Sequence, residues 1–234
     1  MASMQFQESR ESRARRALIF DLDGTLFDTA GDLAAGMNAA LSHLGLQRVD
    51  AGEVRNLVGH GARAMLKRGI LLSSGEQIED GSVLEDAHRV FLDYYHCNIG
   101  VHTLPFPGVI EMITAYRQQG VVIGICTNKR EGSARQLVDA LGYADLFDAL
   151  VGGDSAHAAK PDHAPVQMTL DRLSVRHAIF IGDSDTDIGA AASMGLPALI
   201  ATFGYGPVTR ISETVGLFDD YDTCRRLIDA YWVG

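Results

Sequence analysis

Two carboxylates one residue apart, Asp21 and Asp23, end the apolar run Ala17-Leu18-Ile19-Phe20 and are followed at once by Gly24 and Thr25. In an extended segment residues two apart face the same way, so the pair brings two negative charges together at electrostatic cost. A cation or a shared proton relieves it; the alternative is a pair of acids that merely ends a strand and begins a turn, with Gly24 letting the backbone bend. A second acid cluster follows another apolar run, where Ala178-Ile179-Phe180-Ile181 leads into Gly182-Asp183-Ser184-Asp185-Thr186-Asp187. Read as a calcium loop from Asp183, its sixth residue is Ile188 rather than Gly and its twelfth Met194 rather than Glu, so that reading fails. A magnesium site needs only one or two carboxylates, with water and a substrate phosphate completing the octahedron, and Asp21 acting with Asp183 satisfies it. Asp187 either holds the shell of that site or caps the next helix.

Two further polar groups follow apolar runs. The run Val121-Val122-Ile123-Gly124-Ile125-Cys126 ends in Thr127-Asn128-Lys129-Arg130. A strand-end Thr can hydrogen-bond an anionic oxygen while the next helix aims its first amides at the same ligand, or Thr127 and Asn128 simply cap that helix. Lys160, between Ala159 and Pro161, is either a solvated surface charge or a cation aimed by the restricted backbone before a proline.

These positions need a scaffold, and the sequence supplies one. Short apolar segments at 17–20, 121–126, 149–151, 178–181 and 198–201 alternate with helical patterns at 109–119, 132–141, 165–173 and 187–194. That alternation predicts an α/β fold, a Rossmann-like doubly wound parallel sheet whose polar strand ends gather in one crevice. The stretch from Ala30 to about His102 breaks the rhythm: it has helical patterns, with Leu33, Met37, Leu41 and Leu44 on one stripe and Val83, Ala87, Val90, Phe91 and Tyr94 on another, but no strand. The expected organisation is a disordered tail at 1–16, an α/β core at 17–29 and 105–234, and an inserted helical cap at 30–104. An insertion directly after the acid-bearing strand would hang over its active end as a lid.

The 234 residues are 47% hydrophobic, and 20 basic against 30 acidic side chains leave a formal charge of -10. That balance disfavours nucleic acid and anionic membranes and favours a small-molecule partner. No apolar run approaches a membrane span, the N-terminus lacks a signal-peptide core, and Cys97, Cys126 and Cys224 form no CxxC pair, so a cytoplasmic protein with reduced thiols is expected.

Asp21-x-Asp23-Gly24-Thr25, Thr127, Lys160 and Gly182-Asp183-x-x-x-Asp187, in this order on successive strand ends, resemble the motifs of the haloacid dehalogenase superfamily across nearly all the chain after the tail. The resemblance implies that the strands bearing Asp21 and Asp183 are neighbours with Mg2+ between them. It implies Asp21 as the nucleophile forming an aspartyl-phosphate, the Asp23 carbonyl as a metal ligand, and the Asp23 side chain as general acid and then base. It implies that Thr127 and Lys160 bind the transferring phosphoryl oxygens. Asp23 points away from the dehalogenase and phosphonate-cleaving branches, which lack this acid. The insertion, with Val58-Gly59-His60-Gly61-Ala62-Arg63, together with Thr127-Asn128-Lys129 and Phe203-Gly204-Tyr205-Gly206, looks most like the phosphoglycolate phosphatase group.

The expected activity is therefore Mg2+-dependent hydrolysis of a small phosphorylated metabolite, 2-phosphoglycolate first, by a monomer or homodimer. Arg63 or His60 is expected to meet the substrate's carboxylate, the alternative being a cap turn with an exposed Arg, and Asn128 is expected to join Thr127 and Lys160 in binding substrate. Rivals are a sugar-phosphate or nucleotide phosphatase and a β-phosphoglucomutase-type mutase. A phospho-Asp switch or a non-catalytic binding protein is the rival of a different class.

Overall fold

The computed structural model describes residues 15–233, so the expected tail lies, apart from Arg15 and Arg16, outside the described residues. The chain forms β1 (Ala17–Phe20) and β2 (Phe27–Asp28), then four helices, α1 (Ala30–His43), α2 (Ala51–Arg55), α3 (Ala62–Ser74) and α4 (Ser82–Cys97). It returns through β3 (Leu104–Pro105), α5 (Val109–Gln118), β4 (Val122–Cys126), α6 (Glu131–Ala140), β5 (Ala149–Val151) and α7 (His163–Leu173). The remainder is β6 (Ile179–Gly182), α8 (Asp185–Ser193), β7 (Ala198–Ala201), β8 (Gly216–Phe218) and α9 (Tyr221–Val233).

Six strands form one parallel sheet in the order β5-β4-β1-β6-β7-β8. All four residues of β1 are buried, because helices cover both faces. Side chains alternate across the strand: Leu18 and Phe20 pack with Ile113 of α5 and Ile228 of α9, whereas Ala17 and Ile19 pack with Val166 of α7 and Ile188 of α8. Each fully buried Leu, Ile or Phe contributes roughly 1.5–3 kcal/mol, so the sheet's centre is a stiff floor for whatever stands at its end. β1 has β4 on one side and β6 on the other. Connections leave it in both directions, which opens a crevice at its C-terminal end.

Helices α1 to α4 close around a core of their own that includes Met37, Leu41, Leu66, Leu84 and Phe91. The ingoing β2 and outgoing β3 pair antiparallel, Phe27 with Pro105 and Asp28 with Leu104. Buried Asp32 fastens the same junction by accepting from Gly100 N at 3.0 Å, His102 N at 2.8 Å and Thr103 Oγ1 at 2.5 Å.

Two expectations need correction. The α4 stripe that faces the core is Leu84, Ala87, Phe91 and Tyr95, while Val83 and Tyr94 are 52% and 40% exposed. Both lines have helical spacing and share Ala87 and Phe91, but at their ends they differ by one residue, a turn of about 100° around the helix. The sheet also carries β8, which the sequence reading lacked: three edge residues, of which only Phe218 is buried, give too short an apolar signal. No helix among the described residues is long and apolar enough to cross a membrane.

Candidate active site

The sheet delivers its polar residues to one edge. The ladder runs one residue past β1 and β4, with Asp21 N donating to Ile181 O at 2.8 Å and Thr127 N to Val151 O at 3.0 Å, so both side chains are set by the sheet rather than by a loose loop. Lys160 arrives on the loop after β5, its side chain 1% exposed, with Nζ 3.0 Å from Asp21 Oδ1 and 2.7 Å from Asp187 Oδ1. Asp183 follows β6, and carboxylate oxygens of Asp21, Asp183 and Asp187 lie within 4.8 Å of one another.

Asp187 does both things the sequence left open. Its Oδ2 completes a capping box at the start of α8, accepting from Ser184 N at 3.1 Å and Ser184 Oγ at 2.7 Å, and also from Asp183 N at 3.1 Å. Its Oδ1 holds Lys160, so both oxygens are engaged in positioning. Asp21 differs. Oδ1 accepts from Leu22 N at 2.6 Å and faces Lys160, but Oδ2 receives no hydrogen bond among the described residues.

Three buried carboxylates cluster with one buried ammonium, which touches Asp21 and Asp187, and the titration behaviour follows. Burial raises Asp21 to about 6 against the opposing pull of Lys160, with Asp187 and Asp23 adding to the rise. Burial, then Asp187 and Asp21, raises Asp183 to about 8, partly offset by the N–H groups of Tyr205 and Gly206. Burial disfavours the charged form of Lys160, but Asp187 and Asp21 outweigh it and hold its pKa well above the ordinary lysine value. The cluster carries more negative than positive charge among buried side chains, and its donors are hard oxygens. It fits a divalent, oxygen-loving cation. Asp187 is held through both oxygens by short contacts, whereas Asp21 Oδ2 accepts none among the described residues and Asp183 Oδ1 takes only a 3.4 Å bond from Thr25 Oγ1, so Asp21 and Asp183 are the carboxylates better placed to hold it.

Asp23 stands apart from this cluster in a setting of its own. Thr29 Oγ1 donates to its Oδ1 at 2.7 Å, and Lys129 Nζ lies 2.9 and 3.1 Å from its two oxygens. Lys129 is 7% exposed; burial opposes its charge, but Asp23 prevails and raises its pKa. The sequence reading includes Lys129 in the Thr127-Asn128-Lys129 resemblance but gives it no role; its neighbour Arg130 turns outward to Asp154 at 3.0 Å.

Gly24 makes the turn between the two acids and the insertion possible. Its φ is +82°, and a Cβ there would collide with Asp183 Oδ2 and come within 3.0 Å of the Tyr205 ring. The Gly204 backbone packs equally close to Asp183, while Tyr205 N donates to Asp183 Oδ2 at 2.6 Å and Tyr205 Oη to Asp28 Oδ1 at 2.5 Å. The small residues of Phe203-Gly204-Tyr205-Gly206 thus let a loop close over the acid. Gly24→Ala should destabilise the protein by about 1–3 kcal/mol through the left-handed backbone and the collision. Urea unfolding measures it, and a midpoint within error of the parent would refute the close packing.

Asp21, Asp23, Thr127, Asn128 and Lys129 line a cavity of about 390 Å³ whose other wall includes His60, Arg63, His88 and Tyr95 of the insertion. Asn128 points its amide at backbone, not into open space. Nδ2 donates to Gly59 O and Lys160 O, both at 3.1 Å, and Oδ1 accepts from Lys160 N at 2.9 Å, so the residue ties the insertion's loop to the loop that aims Lys160. Thr127 Oγ1 accepts from Lys129 N at 3.2 Å, a turn contact before α6 that leaves its hydroxyl proton for another partner. His60 is exposed, and the half-exposed Arg63 pairs with Glu85 and lies 4.0 Å from Asp80. The structure therefore brings Arg63 to the cavity wall with its charge already matched.

A parallel sheet that sets an aspartate between Lys160 and a second acid cluster, facing a helical insertion, is the framework within which the chain's hydrolase class is assigned. The sequence profile described as haloacid dehalogenase-like hydrolase matches residues 18–201, and the chain belongs to this family. It is similar to the phosphoglycolate phosphatase of Mesorhizobium japonicum, 38% identical over 194 residues that cover 82% of this chain and 85% of that protein. The Agrobacterium fabrum phosphoglycolate phosphatase is 36% identical over 206 residues, 87% and 88% of the two chains. The crystal structure of a predicted phosphoglycolate phosphatase from Haemophilus somnus superposes with a TM-score of 0.84 at 28% identity, covering 92% of this chain and 98% of that one. The chain is an enzyme of this phosphatase kind, and the resemblance carried by its motifs holds.

Proposed function

We propose that this enzyme hydrolyses a small phosphorylated metabolite, with 2-phosphoglycolate the first candidate, to the free alcohol and inorganic phosphate. The observation that carries the reading is Asp21 Oδ2, an oxygen without a hydrogen bond on a carboxylate otherwise fixed by Leu22 N and Lys160. It attacks phosphorus in line, the ester P–O bond breaks, and the leaving alkoxide takes a proton from Asp23. Asp23, now a carboxylate held by Thr29 and Lys129, accepts a proton from the water that attacks the aspartyl-phosphate and releases phosphate. Thr127 and Lys160 bind the phosphoryl oxygens. Mg2+ held by Asp21, Asp183 and the Asp23 carbonyl would offset the repulsion between carboxylate and phosphate. Residues 30–104 act as the cap, over a core of 17–29 and 105–234. The three free cysteines suit a cytoplasmic setting, where thiols stay reduced.

Phosphate release from a panel of phosphorylated metabolites with Mg2+, ranked by kcat/KM, tests the proposal. 2-Phosphoglycolate should lead. An isomerised phosphate ester in place of free phosphate would overturn hydrolysis, and a sugar phosphate or nucleotide at the head would overturn the substrate.

Metal dependence has a stability signature as well as a kinetic one. EDTA should abolish turnover and Mg2+ restore it. Asp21 at about 6 and Asp183 at about 8 both lie above the unfolded carboxylate value near 3.9. The folding penalty for ionising them is therefore absent below pH ~4 and grows as pH rises through 6 and 8. A cation binds the ionised pair, so Mg2+ should raise Tm more at pH 8 than at pH 5 in scanning calorimetry. A shift that is the same at both values would count against Asp21 and Asp183 as ligands.

A further inference from the structure

Tyr95 of α4 is 2% exposed, and its hydroxyl is the one buried side-chain polar atom without a hydrogen-bond partner among the described residues. A buried hydroxyl left unpaired is unfavourable, so the fold itself gains nothing from having Tyr rather than Phe here. The ring alone serves packing, stacking on Phe91 at 5.7 Å. Beside it lies Lys129, Nζ 4.9 Å from the ring centroid and bonded to both oxygens of Asp23. Tyr95, Lys129 and Asp23 all line the cavity described above. An unpartnered donor and a cation thus flank the group that handles the leaving oxygen.

Resting on the phosphatase reading, in which Asp23 protonates that oxygen, the leaving alcohol must extend toward Tyr95 and Lys129. We infer that the Tyr95 hydroxyl, with Lys129, receives a carboxylate on the carbon next to the ester oxygen. The substrate class is then the phosphate monoesters of α-hydroxy acids. A carboxylate is acceptor-only when ionised and so matches the unpartnered Tyr95 hydroxyl with the Lys129 ammonium beside it. The location also differs from the Arg63 expected from sequence: Arg63 is half-exposed on the cavity wall, while Tyr95 and Lys129 stand beside Asp23 at the reacting end.

Tyr95→Phe removes only the hydroxyl. The ratio of kcat/KM for 2-phosphoglycolate to that for ethyl phosphate, which lacks the carboxylate, should fall tenfold or more, as expected for a lost hydrogen bond to a charged group of about 1.5–3 kcal/mol. Tm should not fall, since no internal partner is lost. An unchanged ratio, or equal losses on both esters, overturns the inference. Calorimetric binding of the same two esters to Asp21→Asn protein, with and without Tyr95→Phe, reads the preference without turnover. There the affinity ratio should fall by a similar factor, and an unchanged ratio overturns the inference. Should the unaltered enzyme hydrolyse neither ester, the phosphatase reading fails, and the binding ratio still decides the role of Tyr95.

Discussion

Asp21→Asn should lower kcat/KM for phosphate release by at least about 10⁴-fold, because the amide cannot form the phosphoenzyme. The fold should survive. Burial already disfavours the Asp21 carboxylate, so a neutral isostere relieves that penalty, and Asp187 still pairs Lys160 at 2.7 Å. Thermal unfolding at pH 7 should be unchanged or slightly higher. Steady-state phosphate release and calorimetry on one preparation measure both, and retention of even a tenth of the parent's activity would rule out covalent catalysis by Asp21.

Lys160→Met separates the same cluster in the opposite way. The ammonium is the positive partner of two buried carboxylates, so its loss leaves Asp21 and Asp187 uncompensated and should destabilise the protein by about 3–5 kcal/mol at pH 7. Activity should drop about 10³-fold or more through loss of the phosphoryl contact. Lys160 now pulls the Asp21 pKa down; without it that pKa rises further, and the added penalty applies only where Asp21 is ionised. The stability deficit should therefore narrow as pH falls toward about 6. Urea titrations at pH 5 and pH 7.5 measure the difference, and a deficit absent at both would mean that the cluster does not depend on Lys160.

The sheet and the ends of its strands were legible because a strand buried on both faces must be apolar throughout. The first polar residue after such a run, Asp21 or Thr127, therefore marks the crevice by itself. That the strands bearing Asp21 and Asp183 are neighbours was not readable from spacing and came from the family resemblance, which the pairing of β1 with β6 matches; the rest of the strand order was not read. What stayed hidden depends on distances between remote segments. Lys129 matters through Asp23, 106 positions away, and Tyr205 through Asp28, 177 positions away. Tyr95 is conspicuous only for a bond that it fails to make. The α4 stripe failed for a local reason, since two adjacent faces of one helix were both apolar enough to qualify. Arg63 illustrates a different limit: a cation's availability depends on its neighbours, and Glu85 and Asp80 lie 22 and 17 positions beyond it in sequence.

The side-by-side strands β2 and β3 have a bearing on how such a protein can change over time. Because the ingoing and outgoing segments are hydrogen-bonded neighbours, clasped by Asp32 as well, the sheet registers the helical insertion as little more than a short bridge between Asp28 and Leu104. The entropy of closing that bridge depends only weakly on what lies beyond it. Helices α1 to α4 can lengthen, shorten or be exchanged as a cassette while Asp21, Thr127, Lys160 and Asp183 keep their places. Selection can then revise the wall that bears Tyr95 at one attachment point, leaving the reaction floor inherited intact.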